Sequence, residues 1–408
     1  MSGIQHRTRR IWWAAVPAAL AMTSLSMAAA PAGAASHGPP ARAAGYVAIS
    51  GSGTGWSSVA IGQWSQDVRA RGLVVNYNPD GSAAGRADYM ANQDDFTGSD
   101  PPFRSGKDQL GGTGPEHPSQ GYSYIPDAAG GTAFLYHITV HGHRITNLRL
   151  TPLLIFDIFT GKISNWDDPR IKAVYGGTLP NLPITPVVYS DGDGATYFLS
   201  LYFATMFTSQ WNAFCAKVHP GIHDPCGQTE FYPPFGAAKA ENGANNVMAY
   251  ITSTFGNGSI GYIEYAYALN AHAPVVQLRN PAGKYVLPTA ANVTTALTRA
   301  VINFQESSRN FLQQDLARVY TYKNPHSYPL ASYSYFIVPR AGTRLPTNFT
   351  KAKGHSLRAF VSYALCRGQR QLSQLGYAPL PPALVRGGLI QASHIPGRGA
   401  VPTPAHCH

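Results

Sequence analysis

Apolar positions along this chain change their spacing in a regular order. Tyr46 to Ser50 reads as a short strand that ends in the small-residue turn Gly51-Ser52-Gly53-Thr54-Gly55. From Ser57 the apolar residues Ala60, Ile61, Trp64 and Val68 recur every three or four positions, the spacing of an amphipathic helix. Leu73 to Tyr77 predicts a second strand, closed by the turn Asn78-Pro79-Asp80-Gly81. Strand, Gly turn, helix, strand is an α/β unit that builds a parallel sheet.

Further on, residues 131–140 (GTAFLYHITV) predict a buried strand, and 152–172 a helix and a turn holding Asn165-Trp166-Asp167-Asp168. Pro186 to Tyr189 leads through Ser190-Asp191-Gly192-Asp193-Gly194 into a helical run from Ala195 to about Phe207. Residues 260–268 and 333–338 are further strand candidates, and a last helix is expected over Ser356 to Leu375. Residues 101–121 are polar and turn-rich and read as a surface excursion. There is no internal repeat.

Composition narrows the class. Of the 408 residues, 44% are hydrophobic and 12% charged, about half the roughly 25% charge of an ordinary soluble domain. Such a chain can bury a large core, which excludes disorder, collagen and coiled coil. The net charge of +11 leaves nucleic acid, anionic surfaces and small anions open as partners. The basic residues are scattered rather than striped, which argues against nucleic acid.

Arg7, Arg9 and Arg10 precede an apolar, Ala-rich stretch to about Ala30, and Ala32-Gly33-Ala34 offers a small-x-small cleavage site. That order predicts a secretory signal peptide over 1–34, followed by a lead-in at 35–44. Arg9-Arg10 loosely resembles a twin-arginine signal, so the general secretory and twin-arginine routes both stay open. Removing 1–34 takes three Arg and no acid, leaving 28 basic against 20 acidic residues, or +8. The mature chain is expected outside the cytoplasm (periplasm, cell wall or secreted). With no cysteine at the cleavage site, it is not expected to be a lipoprotein. An oxidising compartment suggests two disulfides among Cys215, Cys226, Cys366 and Cys407, with three pairings open. The turn-rich KVHPGIHDP favours Cys215–Cys226, which leaves Cys366 with Cys407 and staples the tail at 399–408.

Gly51–Trp56, Gly81–Gly85 and Asp191–Ala195 share one design, a strand followed by small residues and a helix start. Asp95 to Asp100 adds a fourth turn. Helix N-termini present unpaired amides with partial positive charge, and small residues let a ligand come close, so converging ends make an anion site. Each loop alone is also what any tight turn looks like. His137, His141 and His143 fall within seven residues, but no acid or cysteine joins them, so they read as exposed hairpin residues rather than a metal site. Asp167-Asp168 reads as a helix-entry turn, Trp166 as a structural plug, and Tyr262, Tyr265 and Tyr267 as packing residues. Neither Gly-x-Ser-x-Gly nor His-Glu-x-x-His occurs, and no enzyme, cofactor or metal is expected.

Taken in order, GSGTGW (51–56), NYNPDGSAAG (76–85), DFTGSDPPF (95–103), IFTGKISNWDDPRI (158–171), VVYSDGDGATYF (187–198), GSIGYIEYAYA (258–268) and LGYAPLP (375–381) resemble the phosphate-binding substrate-binding proteins of phosphate ABC importers. The resemblance runs from about Tyr46 to Arg398. It implies an α/β, two-lobed, type II periplasmic-binding-protein-like fold with a hinged interlobe cleft. One lobe would be 45–132 plus 270–398, and the other 133–269. A monomer that hands inorganic phosphate or another small solute to a membrane ABC permease is the implied role.

The carried-over contacts are the amides of Gly55, Trp56, Gly194 and Ala195, the Ser82 hydroxyl, and Asp100 as the acid that takes a proton from phosphate. Tyr189, Asp191 and Asp193 would set selectivity. The family's pattern Arg-x-Asp-Gly-Ser-Gly-Thr has become Tyr189-Ser190-Asp191-Gly192-Asp193-Gly194-Ala195. An Arg is lost and a carboxylate gained, each on the order of 4 kcal/mol for unit charges ~4 Å apart at an effective dielectric of 20. Three acids in one cleft should raise at least one carboxyl pKa. Three readings follow: phosphate bound with Asp193 protonated, a neutral or cationic solute walled by Tyr189 and Trp56, or an extracellular sensor or interaction protein without a transport role.

Overall fold

The computed structural model describes residues 45–222 and 225–407. The expected signal peptide and lead-in lie outside the described residues. An eight-stranded mixed sheet organises the chain. Its strands are β1 Ile49–Gly53, β2 Val75–Asn78, β3 Phe96–Ser99, β4 Tyr122–Tyr136, β5 Thr185–Tyr189, β6 Lys239–Glu241, β7 Ser259–Glu264 and β8 Ala331–Pro339. Their order across the sheet is β2-β1-β3-β8-β4-β7-β5-β6. β1 pairs in parallel with β2 and β3, and β5 in parallel with β7 and β6. β8 runs antiparallel to both β3 and β4, and β7 antiparallel to β4.

β4 spans the whole arrangement. Over Tyr122–Gly131 it pairs with β8, and over Thr132–Tyr136 with β7. All but its first residue are buried, which is why its sequence is a continuous run of apolar and small residues rather than an alternation. The sequence places this strand at 131–140, yet it starts at Tyr122. Pro126 and Asp127 hide its first half, because both argue against a central strand. They are accommodated at a register shift between Tyr333 and Tyr335, and Asp127 turns inward to accept from Ser57 Oγ at 2.9 Å and from Ser334 Oγ.

Other boundaries move for local reasons. Gly51 to Gly53 belong to β1 rather than to the turn, since β2 and β3 hydrogen-bond them from both sides. The strand expected at 260–268 stops at Glu264, whose carboxylate accepts the Ala266 amide and caps a helix over Tyr265–Asn270. The last predicted helix, 356–375, is instead Lys351–Leu365, and the chain turns at Cys366. Gly368 there lies against the Trp64 indole and accepts from its Nε1 at 3.2 Å. A further helix, Pro382–Ser393, follows Pro381 with proline at its start.

The helix Ser58–Arg69 buries Ala60, Ile61, Trp64 and Val68, the four residues whose spacing predicts it. Trp166 is fully buried, with its Nε1 donating to Gly258 O at 2.9 Å, and Asp168 caps the helix Pro169–Tyr175. Tyr262 and Tyr267 are buried and Tyr265 half-buried. His143 lies in a short hairpin, Thr139–Val140 with His143–Arg144, and His137 Nδ1 meets Ile251 O. Disulfides join Cys215 to Cys226 and Cys366 to Cys407. The second ties the tail to the end of the helix Lys351–Leu365, where Arg358 also grips the carbonyls of Ser393, Ile395 and Gly399. Among the described residues no helix is long and apolar enough to cross a membrane.

Residues 101–121 hold no helix or strand and are mostly exposed or half-exposed, as a surface excursion would be, but they also reach into the interior. Arg104 and Glu116 from this segment enter a four-charge cluster with Arg86 and Glu230. Arg86, fully buried, donates Nε to Glu116 at 2.9 Å and Nη1 to Glu230 at 3.0 Å and to Ser99 Oγ at 2.9 Å. Arg104 closes the ring to Glu116 at 2.9 Å and to Glu230 at 2.7 Å. Two cations and two anions cancel, and every charge is hydrogen-bonded, which is the condition for burying ions at tolerable cost. Glu230→Gln leaves two guanidiniums facing one carboxylate. A loss of about 3–5 kcal/mol is expected, read as a lowered urea midpoint. Glu241→Gln, which breaks the half-exposed pair with Lys239, should cost under about 1 kcal/mol. Equal losses for the two would contradict this account of the cluster.

Candidate functional site

Four loops meet at one point, each following the end of a strand. Thr54 to Trp56 follow β1, Gly81 and Ser82 follow β2, Asp100 follows β3, and Asp191 to Ala195 follow β5. Asp100 sits at the centre. Its Oδ2 accepts from Thr54 Oγ1 at 2.6 Å and from Ser82 Oγ at 2.9 Å, and Ser82 Oγ in turn accepts the Asp100 amide at 3.1 Å. Its Oδ1 is buried and has no partner among the described residues. Desolvation pushes its pKa up to about 7, and the fields of Asp127 and Glu230 add to it against the lowering effect of the two hydroxyls.

Gly194 has to be a glycine here. A β-carbon at that position would lie 1.5 Å from Asp100 Oδ2, so the carboxyl packs directly on the start of the helix Gly194–Met206. Asp193 is the cap of that helix, its Oδ1 accepting the Ala195 amide at 2.7 Å. Its other oxygen reaches the first loop, 3.7 Å from where a β-carbon on Gly55 would be. Desolvation, with Asp191 and Asp100 nearby, holds the Asp193 carboxyl well above the usual range. Asp191 faces the second loop, its Oδ2 3.2 Å from where a β-carbon on Gly81 would be. It accepts the Gly243 amide at 2.8 Å, at the start of the helix Gly243–Thr252. Its pKa is also raised by burial.

The expected contact residues are therefore brought together, with a difference in what they offer. Of the four amides, Trp56 donates to Thr54 Oγ1 at 2.9 Å and Ala195 to Asp193, so two are taken by the chain itself. Gly55 and Gly194 donate to no protein acceptor among the described residues. Tyr189 is buried at the end of β5, its ring 5.4 Å from that of Tyr262. The Trp56 indole is wedged between Phe198 and Tyr377, at 5.7 and 6.1 Å. Its Nε1 and the nearby Glu264 Oε1 are buried without partners among the described residues. A cavity of about 130 Å³ opens beside Asp100, lined also by Tyr197, Phe198, Gln314 and Tyr335.

Three residues of the site escape a reading of the sequence. Thr54 supplies the hydroxyl that positions 55 and 56 lack. Tyr267 donates to Gly55 O at 2.9 Å and shares a hydrogen with Ser58 Oγ at 2.6 Å, clamping the first loop from a distant segment. Asp127, with its pKa raised to about 6 mainly by burial, lies beneath the same loop through Ser57. Thr54 had a visible signal, being a hydroxyl residue in a Gly-rich turn. Tyr267 and Asp127 had none, since only the fold brings them near.

The PBP superfamily domain matches residues 34–367. The chain is 31% identical over 353 residues to the phosphate-binding protein PstS of Xylella fastidiosa, covering 85% of each chain. It is 29% identical over 312 residues to phosphate-binding protein PstS 2 of Mycobacterium tuberculosis, covering 76% of each. The chain belongs to the PstS family. The PstS fold is also seen in solved structures. A phosphate-binding protein from Stenotrophomonas maltophilia matches with a TM-score of 0.57 and 16% identity, covering 88% of this chain and 98% of that one. A high-affinity periplasmic phosphate-binding protein, PfluDING, solved with phosphate, matches with a TM-score of 0.60 and 17% identity over 83% and 92%. These relatives are binding proteins, not enzymes. PstS membership and the two disulfides point to an extracytoplasmic location.

The buried carboxyls at this candidate site have a consequence for stability. Asp100 and Asp127 carry folded pKa values near 7 and 6 against an ordinary 3.8. Raised values stabilise the fold below about pH 4 and lose that contribution as the pH passes through 6 and 7. At about 1.4 kcal/mol per pH unit of difference, each contributes on the order of 3–4 kcal/mol. Thermal unfolding should therefore occur at a higher temperature at pH 5 than at pH 8, and Asp100→Asn should flatten that slope. A melting temperature that rises towards pH 8 would contradict the assignment.

Proposed function

We propose that this protein is an exported solute-binding protein that captures inorganic phosphate in protonated form and hands it to an ABC permease. The observation that carries this reading is Asp100, a buried carboxyl held by two hydroxyls with one oxygen unpartnered, against the open amides of Gly55 and Gly194.

The loop that departs from the family pattern sets the condition for binding. Tyr189 brings no positive charge, and Asp193 brings a carboxyl where the family has a hydroxyl. Ionised, Asp193 would repel phosphate and hold the Ala195 amide for itself. Protonated, it becomes a hydrogen-bond donor, as the hydroxyl was, and its field disappears. Desolvation already pushes Asp193 and Asp100 towards the neutral form, so the cleft favours acid.

Closure by two lobes, 45–132 plus 270–398 and 133–269, is part of the proposal. β4 changes partners between Gly131 and Thr132, which is where such lobes would join. Ala83 N–H donates to Gly192 O at 3.1 Å, and Arg86 pairs with Glu230, both across the boundary between them. A hinged binding protein that closes around its ligand fits these contacts; that it works as a monomer and engages a permease belongs to the same proposal.

Calorimetric titration with inorganic phosphate at pH 4 and pH 7 tests the reading. Affinity should be at least about tenfold higher at pH 4, the effect of ~1.4 kcal/mol. Asp193→Ser should recover about tenfold at pH 7. No phosphate binding at either pH would reject it in favour of a neutral, hydrogen-bond-donating solute.

A further inference from the structure

Gly55 ends a run of small residues, and a glycine there is free to turn unless something outside the loop holds it. It is nevertheless buried, and its N–H donates to no protein acceptor among the described residues. Two tyrosine hydroxyls fix the peptide groups on either side of it. Tyr77, in β2, donates to Thr54 O at 3.0 Å. A trans peptide is planar, with its N–H opposite its C=O, so this bond aims the Gly55 N–H away from the Tyr77 hydroxyl. Thr54 is also held by its own N–H, which donates to Gly98 O at 2.9 Å. Gly98 leaves room for the arrangement, since a β-carbon there would lie 2.3 Å from Tyr77 Oη. The Tyr77 ring stacks on Phe96, with centroids 6.1 Å apart.

The next peptide is held from a distant part of the chain. Tyr267, in the helix Tyr265–Asn270, donates to Gly55 O at 2.9 Å, and the Ser58 amide donates to the same oxygen at 3.2 Å. A carbonyl can only accept, so the single tyrosine hydrogen goes to Gly55. Ser58 Oγ, 2.6 Å from Tyr267 Oη, therefore gives its own hydrogen to the tyrosine. The N–H of that peptide belongs to Trp56 and donates to Thr54 Oγ1 at 2.9 Å. Both peptide planes at Gly55 are thus fixed, and one N–H is left over.

We propose that Tyr77 and Tyr267 are positioning residues that hold the Gly55 amide aimed at the bound oxyanion. The proposal rests on phosphate being the ligand of this cleft, with Gly55 as one of its donors. Both tyrosines act through Gly55 rather than on the ligand. A donor fixed beforehand does not have to be ordered when the ligand arrives, and that saving appears as affinity. Without the two hydroxyls the loop keeps its residues but loses its aim.

Tyr77→Phe and Tyr267→Phe each remove one hydroxyl and keep the ring. Amide ¹⁵N relaxation of the ligand-free protein should show Gly55 as rigid as β1. In each variant Gly55 and Trp56 should become more mobile, with Gly194 unchanged. Phosphate affinity, titrated calorimetrically at pH 4, should fall about three- to tenfold in each, the worth of one hydrogen bond. Tyr328→Phe removes a hydroxyl that donates to Thr132 O at 2.7 Å, in β4 rather than in the loop. It should lower the melting temperature comparably and leave both readouts unchanged. Unchanged order at Gly55 in either variant overturns the proposal. So does lost order with undiminished phosphate affinity, or an equal loss of affinity in Tyr328→Phe. Failure of the parent protein to bind phosphate at pH 4 and pH 7 rejects the phosphate reading instead, and the order at Gly55 then decides the role of the tyrosines by itself.

Discussion

The cleft depends on the cost of removing a carboxyl group from water. Asp100 has no cation beside it. It is held by the hydroxyls of Thr54 and Ser82 while burial pushes its pKa up to about 7, and the glycine at 194 lets it pack against a helix start. A charged carboxylate at that depth would need several kilocalories of compensation, which two hydroxyls supply only in part. Neutralisation is the cheaper route, and it links the site to pH.

The same fold handles buried charge in a second way a few residues away. Arg86, Arg104, Glu116 and Glu230 form a closed, neutral ring. Glu230 also belongs to the electrostatic surroundings of Asp100 and Asp193, where it raises both carboxyls. Its main chain accepts the Asp193 amide at 3.0 Å. One residue thus connects an ion cluster that holds the loops together with the acids those loops present. That coupling makes the chemistry of the cleft inseparable from its packing.

Much of the framework was legible. The helix at Ser58–Arg69 follows from four apolar residues at helical spacing, and β5, β8 and the helix from Gly194 lie within a residue or two of their predicted limits. The errors share a cause. β4 hid behind Pro126 and Asp127, whose local preferences were outweighed by pairing on both sides. Residues 265–268 looked like strand because apolar and aromatic residues run on from β7, and so short a run does not reveal its period. The segment 101–121 lies largely at the surface, as its polarity suggests, yet Glu116 and the partly exposed Arg104 join the buried cluster, which no local pattern reveals.

By itself the sequence determined the α/β class, the family, and the set of loops that converge at the candidate site, because Gly turns and helix starts are local signals. It also raised the expectation of an altered ligand loop, with Tyr189 and Asp193 where the resembled pattern has an Arg and a hydroxyl residue. Only the tertiary structure decided which groups remain available to a ligand. Whether Ala195 offers its amide depends on where Asp193 points, and whether Asp100 is charged depends on its depth and on Thr54, Asp127 and Glu230. Those are consequences of distance and desolvation between residues far apart in the chain, and no local pattern encodes them.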